Sequence, residues 1–234
     1  VYNTALGYLS MYDNLSGTVN TAIGTSALRF NKTGGGNTAV GTNAMFNHKE
    51  NSYNTVVGFE AMVNDTAGAY NTAVGWRAFN NTKRGWENTA LGVGTLEFTD
   101  SSYYNTAVGR GAMIAKGGKY NTVVGFFASG DYIGTPTTNY YMNDATLVGA
   151  WAGYRNTGDQ NTFVGSNSGY GVTDTLTGIE NTGLGAYTLT YNTSGKSNTG
   201  VGLGALYGNQ TGNGNVAVGT RAMANGGTYS YNIA

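Results

Sequence analysis

The stretch Asn37-Thr38-Ala39-Val40-Gly41, NTAVG, returns unchanged at 71–75. Close variants recur as NTALG at 3–7 and 88–92, NTAIG at 20–24, NTVVG at 54–58 and 121–125, and NTFVG at 161–165. The opening asparagine falls at Asn3, Asn20, Asn37, Asn54, Asn71, Asn88 and Asn105 in steps of 17, and then at Asn121 after a step of 16. The next unit, ATLVG, puts Ala145 in the Asn slot after a step of 24, and Asn161, Asn181, Asn198, Asn215 and Asn232 follow. Thirteen complete units and the start of another make a short period read many times, the mark of a solenoid in which each coil buries its apolar face against its neighbours. Residues 1–234 therefore read as a single repeat domain. Its termini cut the repeat, so the chain is expected to be a piece of a longer fibre.

Composition removes several classes. Twelve basic and twelve acidic side chains leave no net charge to steer nucleic acid, an anionic membrane or a polyanionic substrate. With 39 glycines, one proline and no cysteine, the chain is neither collagen-like nor held by disulfides. No run of about 18 apolar residues reads as a membrane span.

Within the pentapeptide, Thr and Val stand two apart and share one face of an extended chain, while Asn, Ala and Gly share the other. A second apolar pair follows in each unit, as in Ala27-Leu28, Ala44-Met45, Ala61-Met62 and Ala78-Phe79. The unit thus reads as two short strands per coil, joined by turns such as Asn31-Lys32-Thr33-Gly34. The glycine closing every unit, Gly7 to Gly219, reads as a corner that a Cβ would obstruct.

NTAVG-x-x-A-[LM] followed by a Gly-containing turn resembles the head repeats of trimeric autotransporter adhesins, and more closely the NTAVG-x-x-AL arrays of phage tail-fibre and bacterial surface-fibre proteins. The resemblance covers essentially the whole chain. It implies a left-handed parallel β-roll of 17-residue repeats assembled as a homotrimer, roughly 60 Å tall at about 4.8 Å per coil. By position, Thr38 and Val40 match the family's inward-facing pair and Ala44 the small residue opening the second strand; Thr72 and Val74 are expected inside in the same way. A thin roll is poorly filled by its own chain, so the row of Leu6-type and Met45-type residues is expected to face, in part, a partner chain. The adhesin unit is shorter than 17, and no coiled-coil stalk or anchor follows here.

No catalytic constellation emerges, and the chain reads as non-enzymatic. His48 is the only histidine and lies in NHKENS, read as a solvated turn. One histidine and no cysteine cannot make a conventional zinc site, and the aspartates do not form a repeated calcium loop, so no metal or cofactor is expected. Gly195-Lys196-Ser197 lacks the earlier glycine of a phosphate-binding loop. Asn-x-Ser/Thr triplets such as Asn31-Lys32-Thr33 read as turn composition.

The break in the repeat carries more functional information. Segment 126–144 adds seven residues and holds Pro136. In three neighbouring coils the Leu/Met slot becomes Ser129, Gly153 and Gly169, just where aromatic residues accumulate. Insertions in solenoids map to surface loops, so 126–154 is expected to protrude. Its ligand-binding residues would be Asp131, Tyr132, Tyr140, Tyr141, Asp144, Trp151 and Tyr154, offering aromatic faces and hydrogen-bond acceptors to a cell-surface glycan or protein receptor. The alternative is a bulge whose aromatics pack on the neighbouring coil or chain. The expectation is thus an adhesive segment of an extracellular, bacterial-surface or virion fibre that binds no nucleic acid and does not insert into membranes. A different class, an ice-binding solenoid, would use a ladder of threonines such as Thr21, Thr38, Thr55 and Thr72, provided these face outward.

Overall fold

The computed structural model describes residues 2–99, 101–114, 116–130, 140–172, 176–225 and 227–234. Among them the strands are β1 (Thr4–Leu6), β2 (Thr21–Ile23), β3 (Thr38–Val40), β4 (Thr55–Val57), β5 (Thr72–Val74), β6 (Arg84–Trp86), β7 (Thr89–Leu91), β8 (Ser101–Tyr103) and β9 (Thr106–Val108). They continue with β10 (Lys116–Lys119), β11 (Thr122–Val124), β12 (Tyr140–Asn143), β13 (Thr146–Val148), β14 (Thr162–Val164), β15 (Thr182–Leu184), β16 (Thr199–Val201) and β17 (Val216–Val218). The chain is an all-β parallel solenoid of about twelve turns at the roughly 17-residue spacing, with no helix among the described residues. One strand from each pentapeptide enters a 13-stranded sheet, in the order β1-β2-β3-β4-β5-β7-β9-β11-β13-β14-β15-β16-β17. Its register is that of the repeat: Thr21 pairs with Thr38, Ala22 with Ala39, and Ile23 with Val40.

The parity of the pentapeptide holds, but the face is the opposite of the expected one. Ala39 and Ala73 are fully buried, whereas Thr38 and Thr72 are half-buried and Val74 stands 37% exposed. The asparagine decides this, because it shares a face with Ala and its amide is needed inside. Asn20 Oδ1 accepts the Asn37 backbone N–H at 2.9 Å, and Asn37 Oδ1 accepts that of Asn54 at 3.0 Å. Each amide nitrogen reaches across the coil to a carbonyl, as Asn71 does to Gly85 at 2.7 Å. These buried polar groups form a spine broken at Ala145, and a buried amide left unpaired would cost about 1–3 kcal/mol.

Closing glycines behave as the sequence implies. Gly41 has φ +134° and lies so close to the next coil that an added Cβ would sit 2.4 Å from the Gly58 carbonyl oxygen. The second apolar pair is not a strand. The second and fourth residues after the glycine are left-handed, as in Asn43 (φ 57°) and Met45 (φ 54°), which curls the chain instead of extending it. Its amides bond alternately to the coil before, Asn43 N–H to Thr25 O at 2.9 Å, and the coil after, Met45 N–H to Ala61 O at 3.1 Å. Among the described residues a second sheet forms only locally, in the order β12-β10-β8-β6, within 84–143.

The apolar row divides in two. Leu28, Met45, Met62, Phe79, Leu96 and Met113 are fully buried by their own chain, so this half needs no partner, whereas Leu6 is 67% exposed. A flattened coil encloses only enough volume for one long side chain, and the Met45-type residue takes it. In two of the three interrupted coils the volume comes from the other side, and beside Ser129 it comes from Met142 of β12. A Cβ on Gly153 would lie 2.6 Å from Leu147, and one on Gly169 would lie 2.3 Å from the Phe163 ring. Leu147 and Phe163 occupy the strand-centre position that is Ala39 in the regular coil, and both are fully buried.

Candidate functional site

The only histidine is interior, not in a solvated turn. Asn54 Nδ2 lies 3.1 Å from His48 Nε2, and His48 Nδ1 lies 3.0 Å from the Asp65 carbonyl oxygen. The amide donates to Nε2, so Nδ1 carries the proton and donates to the carbonyl. Burial, partly offset by that hydrogen bond, lowers the His48 pKa to about 4 and keeps the ring neutral. Asp65 fills the same column one coil on. Burial raises its carboxyl to about 8 against the N–H groups of Ala67 and Gly68, and its Oδ2 has no hydrogen-bond partner. Sealed from solvent, these two groups cannot meet a substrate. Among the described residues, no group of three or more His, Cys, Asp or Glu side chains is placed to hold a metal ion.

Asp131 and Tyr132 lie outside the described residues, and only the backbone of Tyr140 is described. Segment 140–154 does not protrude, because β12 pairs in register with β10 and β13 with β11 and β14. The Tyr141 ring is half exposed and packs over Gly117, where a Cβ would meet it at 3.1 Å. Asp144 is exposed at the corner before β13. Trp151 and Tyr154 belong to another side of the coil. There the Trp151 ring stacks on Phe127 at 5.1 Å and meets Tyr154 edge-on at 5.1 Å, and Tyr154 stacks on Tyr170 at 4.9 Å. The expected residues therefore divide between two sides, and Tyr154 is buried by its neighbours.

Two surfaces stand out beyond them. The outer face of the main sheet carries two parallel ladders, one of threonine from Thr4 to Thr199 and one of aliphatic residues from Leu6 to Val218, each in register from strand to strand. Around the glycine corner, Gly94 and Gly111 stand where neighbouring coils place Arg77 and Phe127, and a groove of about 400 Å³ opens there. Trp76, Val93, Phe98 and Ile114 contribute its apolar walls. The Glu97 side chain, 6% exposed, holds Arg77 Nη2 at 3.0 Å. Burial raises the Glu97 pKa, Arg77 pulls it back, and Glu60 adds to the rise. Arg110 lies exposed at the groove with its guanidinium 5.9 Å from the rings of Phe126 and Phe127. Insertions point to 126–154 and pass over this groove; its sequence signal is the pair of glycines two residues beyond the closing glycine, in GVG at 92–94 and GRG at 109–111. The chain matches no protein-family model, no curated protein and no solved structure.

Proposed function

We propose that this chain is a non-enzymatic segment of a trimeric extracellular or virion fibre, a left-handed roll that supports attachment to a cell-surface glycan or receptor. The observation that carries the reading is the aliphatic ladder on the outer face of the main sheet. Ile23, Val57, Val74, Leu91, Val164, Leu184 and Val218 stand 36–62% exposed in one straight row. At about 4.8 Å per strand the row is roughly 58 Å long, so a face about 15 Å wide offers roughly 900 Å² per chain. A stable interface takes about 800 Å² per partner. Three such faces meeting on an axis bury the row with closed symmetry, and threonine hydroxyls flank it. Light scattering at low concentration tests the assembly. A trimer is expected, with Val74→Lys plus Val108→Lys giving a folded monomer; a parent chain that is a stable monomer overturns the proposal.

The outward threonine ladder also favours a second reading, an ice-binding face. It uses the same surface, so the two readings exclude each other for one exposed face. Thermal hysteresis by a monomeric parent, abolished by Thr72→Tyr with the fold retained, would establish it.

A further inference from the structure

Every regular coil places a left-handed residue two positions past its closing glycine, and its side chain projects from the same side of the solenoid: Arg77, Phe127, Trp151, Tyr187 and Arg221 all stand in this column. In three coils that residue is glycine, Gly94 (φ 61°), Gly111 (φ 63°) and Gly204 (φ 64°). Left-handed backbone does not demand glycine here, since Asn43 and Arg77 adopt it with full side chains. The missing side chains therefore leave surface space rather than meeting a backbone need. Two grooves open at these coils, one of about 400 Å³ over Gly94 and Gly111 and one of about 660 Å³ over Gly204.

The two grooves share their lining chemistry although they lie several coils apart. Each has an aliphatic residue one position past the closing glycine, Val93 or Leu203, and an arginine and an aromatic ring at its ends: Arg77 and Phe127 in the first, Arg221 and Tyr187 in the second. In the first groove Glu97 neutralises Arg77, and the exposed Arg110 makes no ion pair with a described residue. One buried polar atom remains there too: Arg77 Nε has no hydrogen-bond partner, while Glu97 Oε1 is held by Arg77 Nη2 at 3.0 Å. In the second groove Arg221 is exposed and makes no ion pair with a described residue.

We propose that these two grooves are binding subsites for an acidic saccharide, a uronic-acid type of ring. The apolar face of the pyranose lies on the aromatic and aliphatic walls, and its carboxylate pairs with Arg110 in one groove and Arg221 in the other. The guanidinium fork matches a carboxylate with two parallel hydrogen bonds. In the first groove a ring hydroxyl accepts from the unsatisfied Arg77 Nε, which favours a polyol over a purely aromatic acid. Both subsites lie around the glycine corner from the outer sheet face, and two sites per chain on a multivalent fibre turn weak single contacts into firm attachment. The inference deepens the attachment reading and rests on it for the ligand class.

The probe is trigalacturonate, titrated calorimetrically into the whole chain at constant ionic strength, with neutral maltotriose as control. The parent is expected to bind trigalacturonate at least tenfold more tightly than maltotriose, since a charged hydrogen-bonded pair contributes about 1.5–3 kcal/mol. Arg110→Gln and Arg221→Gln each weaken the total response, and the double variant loses at least tenfold in affinity. Both arginines are exposed, so the variants keep the fold, which circular dichroism verifies. Equal binding of the neutral sugar, no binding of trigalacturonate at about 10 mM, or undiminished binding by the double variant overturns the proposal. Light scattering on the same samples separates the two readings: a trimer that ignores the probe sinks only the grooves, and a folded monomer that binds it sinks only the trimer.

Discussion

In the coils that open at Asn20, Asn37 and Asn71 the strand centre is alanine and the fourth residue past the closing glycine is long: Ala22 with Leu28, Ala39 with Met45, Ala73 with Phe79. In the coils that open at Ala145 and Asn161 the allocation is reversed, with Leu147 facing Gly153 and Phe163 facing Gly169. The main sheet runs through both regions without a change of register. The core asks for one large side chain per coil and accepts it from either wall, because close packing fixes the volume and not the donor. The asparagine spine is less tolerant. It is broken at Ala145, whose N–H still bonds Asn121 Oδ1 at 3.0 Å, and the Asn161 amide, with no asparagine stacked before it, donates to Asn156 Oδ1 at 3.0 Å.

Both regions share the glycine corner, so breaking it is expected to have the largest effect. Gly41→Ala combines a forbidden φ with a backbone clash and should cost about 3–5 kcal/mol or prevent folding. Gly219→Ala is the control, since its φ is +134° but the nearest atom to an added Cβ is 4.0 Å away. It should cost only the conformational strain, about 1–3 kcal/mol. Urea denaturation of the two variants separates crowding from backbone preference; equal losses would refute the clash.

Next in size is the exchange of volume between the walls. Leu147→Ala alone should lose about 2–5 kcal/mol to a cavity, and Gly153→Leu alone about 1–3 kcal/mol to overpacking. The double variant recreates the regular pattern, and leucine already tolerates this backbone at Leu28 (φ 49°) and Leu189 (φ 51°). It should recover most of both losses in a double-mutant cycle. Additive losses would mean that the two walls do not share one cavity.

The smallest effect distinguishes coils within the regular region. In the column seven residues past the closing glycine, Asn14 and Asn31 are followed by His48 and Asp65 and then by Thr82 and Thr99. Folding raises the Asp65 pKa from 3.8 to about 8, so between those values the folded chain holds a proton that the unfolded chain lacks, and stability falls as pH rises. His48 falls from 6.5 to about 4, so its contribution is lost as pH drops through that window. The slopes oppose each other from about pH 4 to 6.5, and Asp65 alone acts from about 6.5 to 8. The parent should be level in the first window and lose on the order of 1 kcal/mol per pH unit in the second. Asp65→Asn should abolish the alkaline decline, gaining about 2 kcal/mol on the parent between pH 6.5 and 8, and leave a rise with pH between 4 and 6.5. Stability curves from pH 4 to 9 decide it; a persistent alkaline decline would assign it to another group.

Period, strand position, register and the glycine corner were legible in the sequence, because backbone stacking repeats whatever the chain repeats. The Thr-Val parity was legible as well, since strand side chains alternate by geometry alone. Which face turns inward was not, because it depends on where the Asn37 amide finds its partners in the adjacent coils. The burial of His48, the failure of Ala44-Met45 to extend into a strand and the return of 140–154 to the sheets are likewise cross-coil properties. So is the groove over Gly94 and Gly111. Each glycine reads as one more flexible turn in sequence, and only stacking lines up two absent side chains beside Trp76, Glu97 and Arg110. Repetition determined the scaffold from sequence alone, while the tertiary structure decided which atoms were left facing solvent, since exposure is set by neighbours a full coil away.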